Sequence, residues 1–200
     1  VSGSSKLAKI TDGAVTFPGA NADYLSTATS SDFAFGTGDF TVEGYVYQSS
    51  QSTYPSLMEI GNHINSNGIL FITSMADGNA KIYSGGFLGG APLSMHRWNH
   101  VAFVRVSGVL KIYVNGFLGS SNAFTNDLTD VTTIKIGGAT AGSGYMFGGQ
   151  ISNVRVIKGT ALYTSNFTPP AAPLTAVTNT KLLCCQSNAT SGSAATSPQI

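Results

Sequence analysis

Charge is scarce in this chain. Of its 200 residues ten are Lys or Arg and nine are Asp or Glu, for a net charge of +1. That leaves no basic stripe for nucleic acid, no polybasic patch for a membrane surface and no acidic tail. Cysteine is nearly absent: Cys184 and Cys185 are neighbours, so they cannot close a loop, and a vicinal disulfide is strained. On a strand, one of them would face inward as a small hydrophobe and the other outward. Their redox state stays open. No apolar run approaches the ~18 residues of a membrane helix, and no signal peptide is visible. The chain opens on Val1 rather than Met, as a processed product or an excised segment would. Helical periodicity is missing throughout, so no long helix is expected. Glutamate is limited to Glu43 and Glu59, and histidine to His63, His96 and His100.

What is abundant is glycine, at 24 residues, with many Ser, Thr and Asn, the composition of a turn-rich β protein. The length suits one β-sandwich domain with a proper core. The clearest element is a β-hairpin: Arg97 to Val106, a Ser107-Gly108 turn, then Val109 to Gly116, with apolar and polar residues alternating on both arms. Phe40 to Tyr47 alternates as well. Phe40, Val42, Gly44 and Val46 take one face; Thr41, Glu43, Tyr45 and Tyr47 take the other.

Further strands are expected at 14–17, 23–26, 56–60, 68–74, 80–83, 117–120, 132–136, 145–156 and 180–186, about a dozen in all. Asp32 to Gly36 reads as a turn-bound apolar cluster. Gly85-Gly86 with Gly89-Gly90 reads as turns, and so does the Gly137 to Gly149 stretch. Ala161-Leu162-Tyr163, ahead of the Pro169-Pro170 stop, reads as a single helical turn. The expected layout is a lead-in over 1–12, an all-β two-sheet antiparallel sandwich over 13–187, and a polar tail over 188–200 that is mobile or lies on a neighbour.

Three blocks carry a family pattern. They are Gly38-Asp39-Phe40-Thr41-Val42-Glu43, the Arg97 to Ala102 segment running on to Tyr113-Val114-Asn115-Gly116, and Ile136-Gly137-Gly138 before the Phe147 to Arg155 run. Their order and spacing over residues 14–160 resemble the laminin-G-like, concanavalin-A-like jelly-roll domains. A narrower likeness is to modules of marine bacteriophage proteins, through Ser31 to Phe40, Val156 to Tyr163, Asn166 to Pro170 and Leu182 to Ser187. The resemblance implies a jelly roll with Trp98 anchored in the core and a place on a virion surface. Partners would be other virion proteins or copies of itself, with host-surface glycans as a further class.

Hydrolases share this fold class, so two cooperating carboxylates were sought. Those hydrolases set three acidic residues at alternate positions on one strand; here the strands read Thr41, Glu43, Tyr45 and Leu57, Glu59, Gly61. The motif is missing, and both glutamates read as surface strand residues. A hydrolase would need carboxylates from different strands, such as Glu43 and Asp77, to converge. His96 and His100 lie four apart on a strand, roughly 13 Å, too far to share a metal. His100 reads as a partly buried strand residue bonded to a neighbour. No Gly-x-Ser-x-Gly elbow occurs.

Calcium, the ion most at home on this fold class, would have to be held by Asp77 or by Asp127 and Asp130; each loop is more simply a turn in which Asp or Asn bonds its own backbone. No cofactor is expected. A sugar site would need an exposed aromatic platform with polar partners. Tyr45 and Tyr47 beside Glu43 are the candidates, with Tyr54, Tyr83 and Trp98 behind them; equally, tyrosines at those positions suit half-buried packing. The expected function is a non-enzymatic virion module acting by contact. The alternative is a secreted or cell-surface lectin-like module that binds polysaccharide.

Overall fold

The computed structural model describes residues 13–20, 23–64, 68–129, 132–186 and 195–196. The strands in chain order are β1 (Val15–Pro18), β2 (Leu25–Ser26), β3 (Phe40–Ser50), β4 (Ser56–Ile60), β5 (Ile69–Ile72), β6 (Asn79–Tyr83) and β7 (Phe87–Pro92). They continue with β8 (Trp98–Val106), β9 (Val109–Val114), β10 (Phe117–Ala123), β11 (Ile134–Ile136), β12 (Gly148–Lys158), β13 (Thr180–Cys184) and β14 (Ala195–Thr196). Two short 3-10 turns, Ser31–Phe33 and Ser143–Tyr145, are the helical elements among the described residues. The pairing is antiparallel and forms two sheets. An eight-stranded sheet runs β10-β9-β8-β3-β12-β13-β14 with β1 added beside β12; a six-stranded sheet runs β2-β11-β4-β5-β6-β7. This is the jelly-roll sandwich the alternation and the resemblance imply.

The core lies between the sheets because each strand sends every second side chain inward. Phe40, Val42 and Val46 of β3 and Val101 and Phe103 of β8 meet Met58, Ile60, Ile69 and Phe71 from the other sheet. Phe71 ties the layers together, its ring centroid 6.1 Å from Phe40 and 5.1 Å from Phe103. Burying side chains of this size contributes about 1.5–3 kcal/mol each. The Ser107-Gly108 turn forms as expected. Both residues take positive φ, 49° and 76°, the conformation of a two-residue turn whose twist matches the arms, and Val106 pairs with Val109.

Several expectations are corrected. The Gly85 to Gly90 stretch contains a strand, β7, which closes the six-stranded sheet against β10 of the other. Gly89 is required there: a Cβ would stand 2.4 Å from Ser120 Oγ and 2.8 Å from Ile112 Cδ1. Trp98 is not a core anchor. It shares the parity of His100, Ala102 and Val104, so it points to the outer face, 40% exposed and beside Tyr47 at 5.9 Å between ring centroids.

Cys184 and Cys185 are both buried, with their sulfurs 3.6 Å apart. Cys185 takes φ 60°, which ends β13 and turns the second thiol inward instead of outward. Residues 161–163 form no helical turn. They begin an irregular strap, 160–175, which is pinned to the outer face of the eight-stranded sheet. Thr41 Oγ1 donates to Thr160 O at 2.9 Å and accepts from Leu162 N at 2.9 Å, and Lys111 Nζ donates to Thr164 O at 2.7 Å. Apart from Ala195–Thr196, the expected polar tail over 188–200 lies outside the described residues, as do the whole lead-in over 1–12 and Asp130.

Candidate functional site

The two outer faces of the sandwich differ. On the eight-stranded sheet, register sets Glu43 of β3 opposite Arg155 of β12 and Tyr45 opposite His100 of β8. One Glu43 oxygen accepts from Arg155 Nε at 2.8 Å and Nη2 at 2.6 Å. The other meets His100 Nε2 at 3.0 Å and accepts from Tyr163 OH at 2.8 Å. The strap roofs this cluster, with the rings of Tyr163 and Phe167 stacked 3.6 Å apart and nearly parallel.

Burial by itself would raise the Glu43 carboxyl, but the bond with His100 and the charge of Arg155 outweigh it and hold the group below its ordinary value. The same burial, reinforced by the Glu43 charge, pushes Tyr45 up to about 12 and Tyr163 higher still. Glu43 is therefore no surface residue. It is fully buried, and each oxygen is occupied.

On the six-stranded sheet, register draws one outward row across the strands: Lys135 of β11, Glu59 of β4, Leu70 of β5, Tyr83 of β6 and Phe87 of β7. Neighbouring strands stand about 4.8 Å apart, so the row passes from an ion pair to an apolar middle to an aromatic end. Loops add the rest. Tyr54 precedes β4, and its N–H donates to Gly144 O at 2.8 Å, which brings it to Tyr145 on the second 3-10 turn.

The result is a closed circuit of rings. Centroids are 4.9 Å apart for Tyr54 and Tyr145, 4.8 Å for Tyr145 and His63, and 5.9 Å for His63 and Tyr83. The circuit closes with 5.1 Å for Tyr83 and Phe87 and 5.6 Å for Phe87 and Tyr54. The rings surround a cavity of about 370 Å³ with Leu70 and Ile72 at its base and Ile64 at its rim.

Glu59 is fully buried beside this cup, again not at the surface as its strand position alone suggests. One oxygen accepts from His63 N at 3.1 Å and lies 2.5 Å from His63 Nδ1; the other accepts from Thr140 N at 2.9 Å, Thr140 Oγ1 at 2.7 Å and Lys135 Nζ at 3.3 Å. Burial works to raise its carboxyl, but these bonds, His63 first, hold it below the ordinary value. With Nδ1 committed to Glu59, the second imidazole nitrogen, Nε2, has no hydrogen-bond partner among the described residues.

Of the residues singled out in the sequence, Tyr54 and Tyr83 line the cup. Glu43 and Tyr45 lie under the strap, where the Tyr45 hydroxyl donates to Pro170 O. Tyr47 is half-buried on that same face against Trp98. Asp77 accepts from Asn79 N at 3.1 Å and pairs with Lys81, and Asp127 accepts from Thr129 N at 2.9 Å, both in the turn geometry read from sequence. Glu43 and Asp77 belong to different sheets and have separate partners. Among the described residues no three His, Cys, Asp or Glu side chains gather as a metal site would. Nothing in the local sequence marks His63, Phe87 or Tyr145 as a residue of this cup.

Residues 19–162 match the family model described as the concanavalin A-like lectin/glucanases superfamily, of the laminin G type. The chain belongs to this family. No curated protein sequence matches it. Among solved structures, this concanavalin A-like chain is similar to the native heptameric SAP-like pentraxin of Limulus polyphemus, with a TM-score of 0.59 and 16% identity over 78% of this chain and 80% of that one.

Domain 4 of AbnA, an extracellular arabinanase of Geobacillus stearothermophilus solved with arabinotriose, gives 0.60 and 19% over 75% and 74%. The CBM40 of the Ruminococcus gnavus IT-sialidase, bound to α2,3-sialyllactose, gives 0.57 and 16% over 76% and 92%. At these identities the likeness establishes the fold alone.

Proposed function

We propose that this chain is a carbohydrate-binding module that holds a sugar ring or chain end in the aromatic cup of the six-stranded sheet and does not cleave it. The observation that carries this reading is the closed circuit of Tyr54, Phe87, Tyr83, His63 and Tyr145 around one cavity. The C–H face of a pyranose is apolar with slightly positive hydrogens, and it packs on the negative face of an aromatic ring. The volume falls at the small end of ligand pockets, which suits one or two sugar units. The sugar complexes of the arabinanase domain and the CBM40 support the same use of the fold.

Binding without cleavage follows from the carboxylates. Glycoside hydrolysis needs a proton-donating acid whose pKa is raised, beside a second free carboxylate. Glu43 and Glu59 are shifted the other way, and their oxygens are occupied. No metal is assigned to binding. A glycan array followed by calorimetry on the positive sugars tests the reading: Tyr83→Ala should abolish the signal, and a blank array or an unaffected variant would sink it.

The sequence likeness to marine bacteriophage modules leads us to place the module on a virion surface, next to other virion proteins or copies of itself. Mass spectrometry of purified particles should find it at a fixed copy number. Its absence there would favour the extracellular or cell-surface alternative.

A further inference from the structure

We infer that the cup selects a neutral sugar carrying an acetamido group, whose N–H donates to His63 Nε2 and whose methyl enters toward Leu70 and Ile72. This rests on the carbohydrate reading above and names its ligand class. An unpaired imidazole nitrogen alone marks nothing, because His100 Nδ1 is equally unpaired beneath Tyr163 and Phe167. His63 differs in lining a cavity. Its Nδ1 faces the buried Glu59 carboxylate, and in the tautomer that directs Nδ1–H there Nε2 is left as an acceptor. A buried acceptor left unpaired is costly, and a ligand donor would recover that cost.

The surroundings restrict that donor. Leu70 and Ile72 are shielded by the rings above them, at 1% and 0% exposure, so a ligand methyl meets them only where the rings part. Side-chain rearrangement of this kind is common on binding. A hydroxyl could also donate to Nε2, but it carries no methyl to fill the apolar base at Leu70 and Ile72. A secondary amide brings one N–H and a methyl, and turns its carbonyl to the wet mouth. A carboxylate has no counterpart: no Arg lines the cup, Lys135 is bound to Glu59 and Thr140, and Lys81 is paired with Asp77.

The test is calorimetry of the full chain at pH 7.5 with three β-1,4 disaccharides that differ only at C2 of each ring: diacetylchitobiose (acetamido), its deacetylated form (amine) and cellobiose (hydroxyl). The diacetyl sugar should bind at least about tenfold tighter than either of the others, because it alone joins a neutral N–H donor to a methyl that fills the apolar base. Equal binding, or preference for cellobiose, overturns this inference and leaves the carbohydrate reading standing. Preference for the amine overturns it in favour of a cation held by the rings. A blank glycan array sinks both. In His63→Phe, which keeps a ring and removes the acceptor, the ratio of acetamido to hydroxyl affinity should fall toward one; an unchanged ratio overturns the role of Nε2. Should that variant fail to fold, the three-sugar comparison on the native chain decides.

Discussion

On the outer face of the eight-stranded sheet Glu43 meets His100; on the outer face of the six-stranded sheet Glu59 meets His63. Both pairs are buried, and each carboxylate is held below its ordinary pKa by its partners. They differ in what lies above them. Over His100 the strap sets Tyr163 and Phe167 edge-on, at 6.3 and 5.6 Å, and the face is sealed. Over Glu59 no strap passes among the described residues, and five rings border an opening instead. The same two residue types thus serve as framework where the chain roofs them and as a site where it does not. Cover, rather than composition, separates the two.

The largest effect expected is on the roofed side. Arg155→Ala leaves the Glu43 charge buried without its main counter-ion, and it should cost about 3–5 kcal/mol in urea unfolding while leaving sugar affinity in the surviving folded fraction unchanged. Loss of affinity with little loss of stability would invert the comparison. The reverse profile is expected on the open side. Phe87 is 47% exposed, so Phe87→Ala should change stability by less than about 1 kcal/mol and weaken glycan binding about tenfold or more, as calorimetry would read.

Acid comes next. Both folded carboxyls lie below their ordinary value of 4.5, so their ionised forms stabilise the fold. That stability is fully present above pH 4.5 and is lost as pH falls through the lower folded values. Unfolding midpoints followed downward from pH 6 should bend over in that window, and Glu43→Gln should show a shallower bend than the native chain. The smallest effect is that of chelation. EDTA should move neither the melting temperature nor the glycan isotherm, because Asp77 and Asp127 are committed to their own turns; a shift of either would reopen calcium.

The elements that could be read from sequence were local ones. Ser107-Gly108 must turn because two consecutive positive φ angles suit a hairpin, and Phe40, Val42 and Val46 must face the core because alternation leaves them no other side. Trp98 could not be placed that way. The family resemblance argued for the core, but the residue's parity with His100 put it outside. The glutamates misled for a related reason. A carboxylate on a strand face reads as exposed until its partners are known, and Arg155 and Tyr163 lie over a hundred residues from Glu43. The cup was least legible. Its rings come from the loop before β4, the turn after it, β6, β7 and the turn before β12, and no window of sequence holds more than a fragment.

Alternation, turn residues and the low charge were enough to make this a sparsely charged, antiparallel two-sheet sandwich, since those properties act between residues close in the chain. Strand register and the path of the strap decided which outer face is closed and which is open. They bring distant residues within hydrogen-bond reach, and such contacts exist only once the sheets have paired.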